Sequence, residues 1–369
     1  MGFRKQASKL TNLLPDWTWH YSSRKSTPTY NPAREGQARK QPVQPVYTIF
    51  SYDARFLEEK KVSHEDACES YKGASRVTWI NADGLDKEEV ERLCSCFEVH
   101  SLVVEDILSI GQRAKMDEIG EIIFCLLPML YYNEGTGQIE TEQVSIILGK
   151  NFVLSFQEDP ERDVFDPVRD RLRLGQPPLR HRSADYLCYN LIDIIVDSYF
   201  SVIEKIGDRI ERLEDALLQQ KEKSALAKIS ILRREVMMLR RSVGPVRDLV
   251  NGFLRSESSL LQERHEKYYK DVLDHIIQAN EYVDSHRDML MNLQDLSMSQ
   301  INTRMNEVMK VFTLLATLMA PATVIGGIFG MNFDVIPLAH HQAGFYITVG
   351  VMLLIPLLMV FWFRKKGWF

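Results

Sequence analysis

Two uncharged apolar stretches constrain this chain more than any other feature. Residues 311–330 hold no Asp, Glu, Lys or Arg in 20 positions, and residues 343–363 hold none in 21. Coiled as helices, each is about 30 Å long, which matches the hydrocarbon core of a bilayer. A buried helix of a water-soluble core can be equally apolar. These two lie side by side at the end of the chain with nothing after them to cover them, so two transmembrane helices are expected over 311–330 and 343–363. The segment joining them, 331–342, has no Lys or Arg and carries only Asp334, His340 and His341 as ionisable groups. Phe363 is followed at once by Arg364, Lys365 and Lys366. The positive-inside rule then places the 364–369 tail in the cytoplasm and the 331–342 loop outside. With two spans, the large N-terminal part is cytoplasmic as well. Phe361, Trp362, Phe363, Trp368 and Phe369 bracket the basic cluster and suit a membrane–water interface.

The formal net charge of −5 hides a division. Residues 1–45 contain eight basic and two acidic residues, a local charge of +6, and five of the 14 prolines. Such a stretch buries too little apolar surface to offset the entropy of ordering it, so a flexible basic tail is expected there. It lacks the apolar run of a signal peptide. A solvated extension is favoured over contact with anionic headgroups.

Residues 46–182 mix strand and helix patterns and predict a cytoplasmic α/β domain. Strands are expected at 46–52, 76–81 and 152–157, and a helix at 87–97. Residues 122–132 and 138–148 flank the turn signal Asn133-Glu134-Gly135-Thr136-Gly137 and predict a hairpin. Residues 183–252 read as cytoplasmic helices: one over 183–221, and a second over 223–243 broken by Gly244-Pro245. From 253 to 320 the chain has no Gly or Pro, which predicts a continuous helix of roughly 100 Å. Its 253–310 portion is charged and amphipathic, as expected of a stalk packed on partners. The five cysteines, Cys68, Cys94, Cys96, Cys125 and Cys188, are odd in number and irregularly spaced. Reduced cytoplasmic thiols are the expectation.

The first span is not uniformly greasy. Asn306, Met309, Phe312, Ala316, Ala320, Thr323 and Gly327 recur at intervals of three and four and form one helical face. It begins polar, turns apolar, and ends small and polar, as a pore lining would. Small residues also let helices pack closely, which accounts for the glycines without a pore. Two spans cannot enclose a pore alone, so conduction requires an oligomer. The bulkier second span reads as the lipid-facing helix, with Pro356 tolerated inside it.

Gly330-Met331-Asn332 stands at the outer end of the first span, before a short loop, a second span and a basic-aromatic terminus. The tripeptide in that position resembles the Gly-Met-Asn signature of the CorA family of divalent-cation transport proteins. The stretch NEVMKVFTLLATLMAPATVIGGIFGMN (306–332) is similar to the pore helix of that family. LVVEDILSIGQR (102–113), Phe165-Asp166-Pro167-Val168 and DVLDHIIQ (271–278) resemble it too. The resemblance covers about 46–369.

It implies a funnel-shaped homopentamer in the cell (inner) membrane, with five stalks forming the pore and the α/β domains forming a cytoplasmic bell. It implies Mg²⁺ as the ion carried, with Co²⁺ or Ni²⁺ as further substrates, and no nucleic-acid partner or organic cofactor. The Gly330, Met331 and Asn332 ring would receive the hydrated ion. Mg²⁺ sheds water reluctantly, and neutral amide and carbonyl oxygens can hold its hydration shell without trapping the ion. Asn306 would make a second polar ring. Cytoplasmic Mg²⁺ sensing is implied between Asp106 of one subunit and Asp271 of a neighbour, with Glu105, Asp193 and His275 assisting. Facing carboxylates repel when empty and are bridged by a hard cation. The chain departs from the family pattern at two narrowings, with Phe312 and Ala320 where Leu and Met are frequent, and its outer loop lacks a dense acidic cluster.

Three other readings compete. A zinc transporter of the related ZntB type is the first; His340 and His341 stand in the outer loop, but adjacent histidines are usually ordinary loop residues. A membrane-anchored helical scaffold would need neither the 306–327 face nor the outer ring. An enzyme is disfavoured because the chain has no P-loop, nucleophile elbow, zinc-protease pattern or kinase set.

Overall fold

In the computed structural model the described residues are 45–62, 68, 76–159, 162–175, 179–219, 224–331, 336, 338 and 341–367. Apart from Pro45, the basic tail expected over 1–45 lies outside them, as do Asn332, Asp334 and His340.

Seven strands build one sheet: β1 (Val46–Tyr52), β2 (Leu57–Val62), β3 (Val77–Asp83), β4 (Lys115–Ile119), β5 (Ile122–Asn133), β6 (Gln138–Leu148) and β7 (Phe152–Gln157). Their order is β2-β1-β3-β7-β6-β5-β4. Neighbours are antiparallel except β3 and β7, which run parallel with Thr78 opposite Phe152. Strand side chains alternate between faces, and here both faces are buried. Tyr47, Ile49, Ile80, Phe124, Leu126 and Leu154 meet α1 (Lys87–Cys96) and α2 (Ser101–Leu108) on one side. Phe50, Tyr52, Trp79, Ile123, Cys125 and Val153 face the long helices on the other. The parallel pair is pinned by a buried polar chain: Trp79 Nε1 donates to Ser155 Oγ (2.9 Å), Ser155 Oγ donates to Asn81 Oδ1 (2.5 Å), and Asn81 Nδ2 donates to Asp83 Oδ1 (2.7 Å). The β5–β6 hairpin closes as expected. Asn133 Oδ1 accepts from the Gly135 and Thr136 amides, and Gly137 takes φ +65°, which glycine adopts without a Cβ clash.

The helical part consists of α3 (Asp166–Arg173), α4 (Ala184–Leu218), α5 (Ala225–Arg255), α6 (Glu266–Phe329) and α7 (Gly344–Lys365). Helix α4 is long and apolar enough to cross a membrane, but its most apolar stretch is 67% buried inside the fold, against 6% for α6 and α7. It is a core helix lying across the sheet. Arg209 joins three elements, with Nη1 2.6 Å from Glu235 Oε2 on α5 and 2.9 Å from the Gly137 carbonyl. Where α4 meets α6, a Cβ on Gly207 would lie 3.0 Å from His286 Nε2, so the close approach depends on glycine.

The structure corrects three expectations. Helix α5 is not broken at Gly244-Pro245 but runs to Arg255. Proline costs a hydrogen bond and a clash with the carbonyl four residues back. Here Val243, Pro245, Val246 and Leu249 are all buried, and that packing outweighs the cost. The helix expected to run unbroken from 253 begins instead at Glu266. The polar run Ser256-Glu257-Ser258-Ser259 leaves the helix because serine oxygens compete for backbone amides, as Ser256 Oγ does for the Ser258 amide (3.2 Å). The restart is fastened by Asp185 at the head of α4. Its Oδ2 accepts from the Gln262 amide (2.9 Å) and lies 2.7 Å from His265 Nδ1, and Tyr269 Oη donates to its carbonyl (3.1 Å). Third, Cys68 and Cys96 are joined as a disulfide, whereas Cys94, Cys125 and Cys188 are free and buried. Cys96 sits at the exposed end of α1, clear of the buried Cys94 two positions earlier, so Cys68 can reach it from elsewhere in the chain.

Candidate ion pathway and cation-binding clusters

Helix α6 has 64 residues, about 96 Å at the standard rise. Its apolar end packs against α7 through Leu314, Thr317, Leu318, Pro321 and Ile325, which are buried or half-buried at helical spacing. At about 100° per residue, Asn306, Met309, Phe312, Ala316, Ala320, Thr323 and Gly327 fall on the opposite side. All seven are exposed in the protomer. The face expected to line a pore is therefore left uncovered by the chain's own second apolar helix. The hydroxyls of Thr313, Thr317 and Thr323 donate to carbonyls one turn back, those of Met309, Thr313 and Met319. That satisfies their protons within the helix. Helix α6 ends at Gly330, whose amide donates to the Gly326 carbonyl (3.0 Å), and the Met331 amide bonds the Ile328 carbonyl (3.3 Å). Asn332 lies outside the described residues.

The acidic residues fall in two groups. Near the N-terminal ends of the long helices, Asp193 and Asp197 stand one turn apart on α4 and face His275 of α6. One ligand atom from each lies within 4.8 Å of the others. His275 Nδ1 is 3.4 Å from Asp197 Oδ1 without hydrogen-bond alignment. Tyr189 Oη donates to Asp193 Oδ2 at 3.3 Å. Burial, together with the charges of Asp197 and Asp271, pushes the Asp193 carboxyl up to about 6, opposed by Tyr189 and His275. Asp271 is thus within electrostatic reach of this group, and its side chain is exposed. Two carboxylates and an imidazole in partial burial suit a divalent cation, with oxygen ligands favouring Mg²⁺ and the imidazole admitting softer ions.

The second group is on α2. Glu105 is exposed, and Asp106 is half-buried. The ionic partner of Asp106 within the protomer is Lys115 of β4, whose Nζ lies 2.6 Å from Asp106 Oδ2 and 3.1 Å from Asp117 Oδ2. Against the cost of burial, hydrogen bonds to these two carboxylates hold the Lys115 ammonium above the usual lysine range. Gln143 Nε2 donates to the Asp106 carbonyl (3.1 Å), while its Oε1 accepts from the Gln112 amide (3.3 Å), tying the end of α2 to β6.

Comparison with known proteins places this architecture. The family model described as CorA-like Mg²⁺ transporter protein matches residues 74–365. The chain belongs to the CorA-like family. It is 38% identical over 321 residues to a cobalt/magnesium transport protein CorA of Thermotoga maritima, covering 87% of this chain and 91% of that one. The complete structure of the CorA magnesium transporter from Methanocaldococcus jannaschii superposes with a TM-score of 0.74 at 21% identity, covering 88% of this chain and 99% of that one. The cytoplasmic domain of ZntB from Vibrio parahaemolyticus shares the fold with a TM-score of 0.52 at 13% identity, over 70% of this chain and 99% of that one.

Within this CorA-like chain the structure brings Asp193 and His275 together, and leaves Asp106 and Glu105 on a separate helix. Two participants escaped the sequence reading. Asp197 was detectable in principle, one helical turn after Asp193 on a helix-patterned stretch. Lys115 was not, because its pairing with Asp106 depends on where the loop after α2 delivers β4.

Proposed function

We propose that this chain assembles as a homopentamer in the cell membrane and conducts Mg²⁺, with Co²⁺ and Ni²⁺ as further substrates, into the cytoplasm. The observation that carries this reading is the exposed 306–327 face of α6, opposite the side packed on α7 and leading to Gly330. Exposed Val311, Leu315, Met319, Val324 and Ile328 on α6, and Leu353, Leu357 and Phe361 on α7, form an apolar surface that water does not tolerate over such an extent. A bilayer and neighbouring subunits would cover it. Around a fivefold axis, Asn306 would form the inner polar ring, Phe312 a hydrophobic narrowing able to gate by dewetting, and Thr323 and Gly327 a polar outer section. The Gly330 carbonyl and the Asn332 amide would receive the ion with its hydration shell.

No fuel is required. An inside-negative potential acting on two charges is worth about 4.6 kcal/mol per 100 mV. Control then lies in closure. We assign it to cytoplasmic Mg²⁺ held between Asp106 of one subunit and Asp271 of the next, supported by Glu105 and by the Asp193–Asp197–His275 cluster. Loss of the ion restores carboxylate repulsion and loosens the ring of stalks. The N-terminal part and the basic 364–369 tail would both be cytoplasmic.

The test is Mg²⁺ flux into liposomes holding the purified chain, with and without an inside-negative potential, and with Zn²⁺ under a proton gradient in parallel. Mg²⁺ entry that rises with the potential supports a passive channel. Proton-coupled Zn²⁺ movement without Mg²⁺ entry would replace this reading with a ZntB-type one.

A further inference from the structure

The regulatory reading of Asp106 treats its carboxylate as available to a cation, yet in the protomer it already holds one. Lys115 Nζ is 2.6 Å from Asp106 Oδ2, and its side chain is only 35% exposed. The lysine is not a mobile surface charge that happens to lie close. It leaves β4, which is hydrogen-bonded in register to β5 with Lys115 opposite Leu126, and its ammonium also lies 5.8 Å from the Phe124 ring. The backbone that carries the carboxylate is held as well, because Gln143 bridges the Asp106 carbonyl and the Gln112 amide in the loop after α2. A third group completes the arrangement. Asp117, two residues along β4 and so on the same face as Lys115, places Oδ2 3.1 Å from the ammonium.

We propose that Lys115 is a built-in competitor for the regulatory cation: it neutralises Asp106 when the site is empty and transfers to Asp117 when a divalent cation takes Asp106. The proposal rests on the reading of Asp106 as a regulatory ligand. Its physical content is an exchange of partners. A divalent cation arriving at Asp106 is repelled by an ammonium a few ångströms away. Asp117 lowers the cost of that displacement, because the ammonium moves to a second carboxylate already within hydrogen-bond reach and is not left unpaired. Lys115 therefore raises the Mg²⁺ concentration needed to fill the site, and Asp117 lowers it. A unit charge about 5 Å from a divalent ion in aqueous dielectric changes its occupancy by about tenfold.

The experiment is a Mg²⁺ titration of the full chain, followed by calorimetry in detergent and by flux closure in liposomes. The chains compared are wild type, Lys115→Met, Lys115→Arg, Asp117→Asn, Asp106→Ala and the Lys115→Met/Asp106→Ala double variant. Lys115→Met is expected to move half-saturation and half-closure to about tenfold lower Mg²⁺, with Lys115→Arg near wild type. Asp117→Asn, which keeps the lysine and its fold contacts, is expected to move both the other way. The Lys115→Met shift is expected to vanish without Asp106. Asp106→Ala weakening Mg²⁺ while Lys115→Met and Asp117→Asn leave it unchanged would overturn the competitor role and spare the regulatory reading. No effect of Asp106→Ala would overturn both.

Discussion

Asp197→Asn tests the helix-borne cluster at a residue whose contribution can be worked from its geometry. The substitution keeps shape and polarity and removes one charge from the Asp193–Asp197–His275 group. Asp197 is 56% exposed, so the appropriate dielectric is close to that of water. A divalent cation held through one water, about 4.5 Å from the carboxylate, then loses ~1.8 kcal/mol of attraction. Screening at physiological ionic strength, with a Debye length of about 8 Å, reduces this to ~1 kcal/mol. The two limits correspond to roughly five- to twentyfold weaker binding. Calorimetric titration of the full chain with Mg²⁺ in detergent at constant ionic strength measures it. Glu204→Gln is the control: it removes the same charge from an exposed site on the same helix, two turns beyond the cluster. Its expected change is below about twofold, since a charge more than a Debye length away is largely screened. If Asp197→Asn matches Glu204→Gln, the cluster does not hold the ion, and the argument from spacing and burial is wrong.

Three further outcomes are expected. Asn332→Ala abolishes Mg²⁺ uptake in liposomes while the oligomer survives size-exclusion chromatography, and normal uptake would remove the outer ring from the pathway. Asp83, buried beside Asp163, has its carboxyl pushed up to about 6, so between pH 3.8 and 6 the folded state holds more protons than the unfolded one and stability falls as pH rises through that window. Asp83→Asn therefore stabilises the α/β part relative to wild type more at pH 7.5 than at pH 4, by at most roughly 3 kcal/mol, read by chemical denaturation at the two pH values. The Cys68–Cys96 bond closes a loop across 28 residues, so Cys96→Ser or full reduction costs roughly 3 kcal/mol. Alkylation and mass measurement should find three free thiols before reduction and five after. Five at the outset would mean that the pair is reduced in solution.

The α/β part was legible wherever local pattern and tertiary burial agree. Residues 138–148 and 152–157 were read as strands, and they are β6 and β7 to the residue, because the apolar runs there are separated by the turn at Gly149-Lys150-Asn151. The apolar helices were equally plain, since 20 positions without a charge leave few alternatives. What failed was punctuation. Pro245 read as a break, but buried neighbours hold the helix through it. Ser256–Ser259 did not read as a break, because the absence of Gly and Pro removes only two ways of ending a helix. At the sites, Asp193 and His275 came from family resemblance, and the structure sets them beside Asp197 on facing helices, whereas the Lys115–Asp106 pair, nine residues apart, depends on the course of the loop after α2, and the Cys68–Cys96 bond spans 28 residues.

Helix α6 passes from the Asp193–Asp197–His275 cluster to its apolar segment without a glycine or proline before Pro321. Helices bend sharply at such residues, at π-bulges or at inserted side chains, and the long run from Glu266 offers no glycine or proline at which to fold. Mechanically it is a lever. From His275 to Asn306 the arm is about 46 Å, so a tilt of 3° about the inner end sweeps the Asn306 position sideways by roughly 2.4 Å. In the proposed pentamer, five arms moving together would change an aperture by nearly twice that, more than the width of a water molecule, about 2.8 Å. The gearing thus comes from length and stiffness, and in the proposed channel angular changes of a few degrees would be enough to wet or dry a narrowing at Phe312.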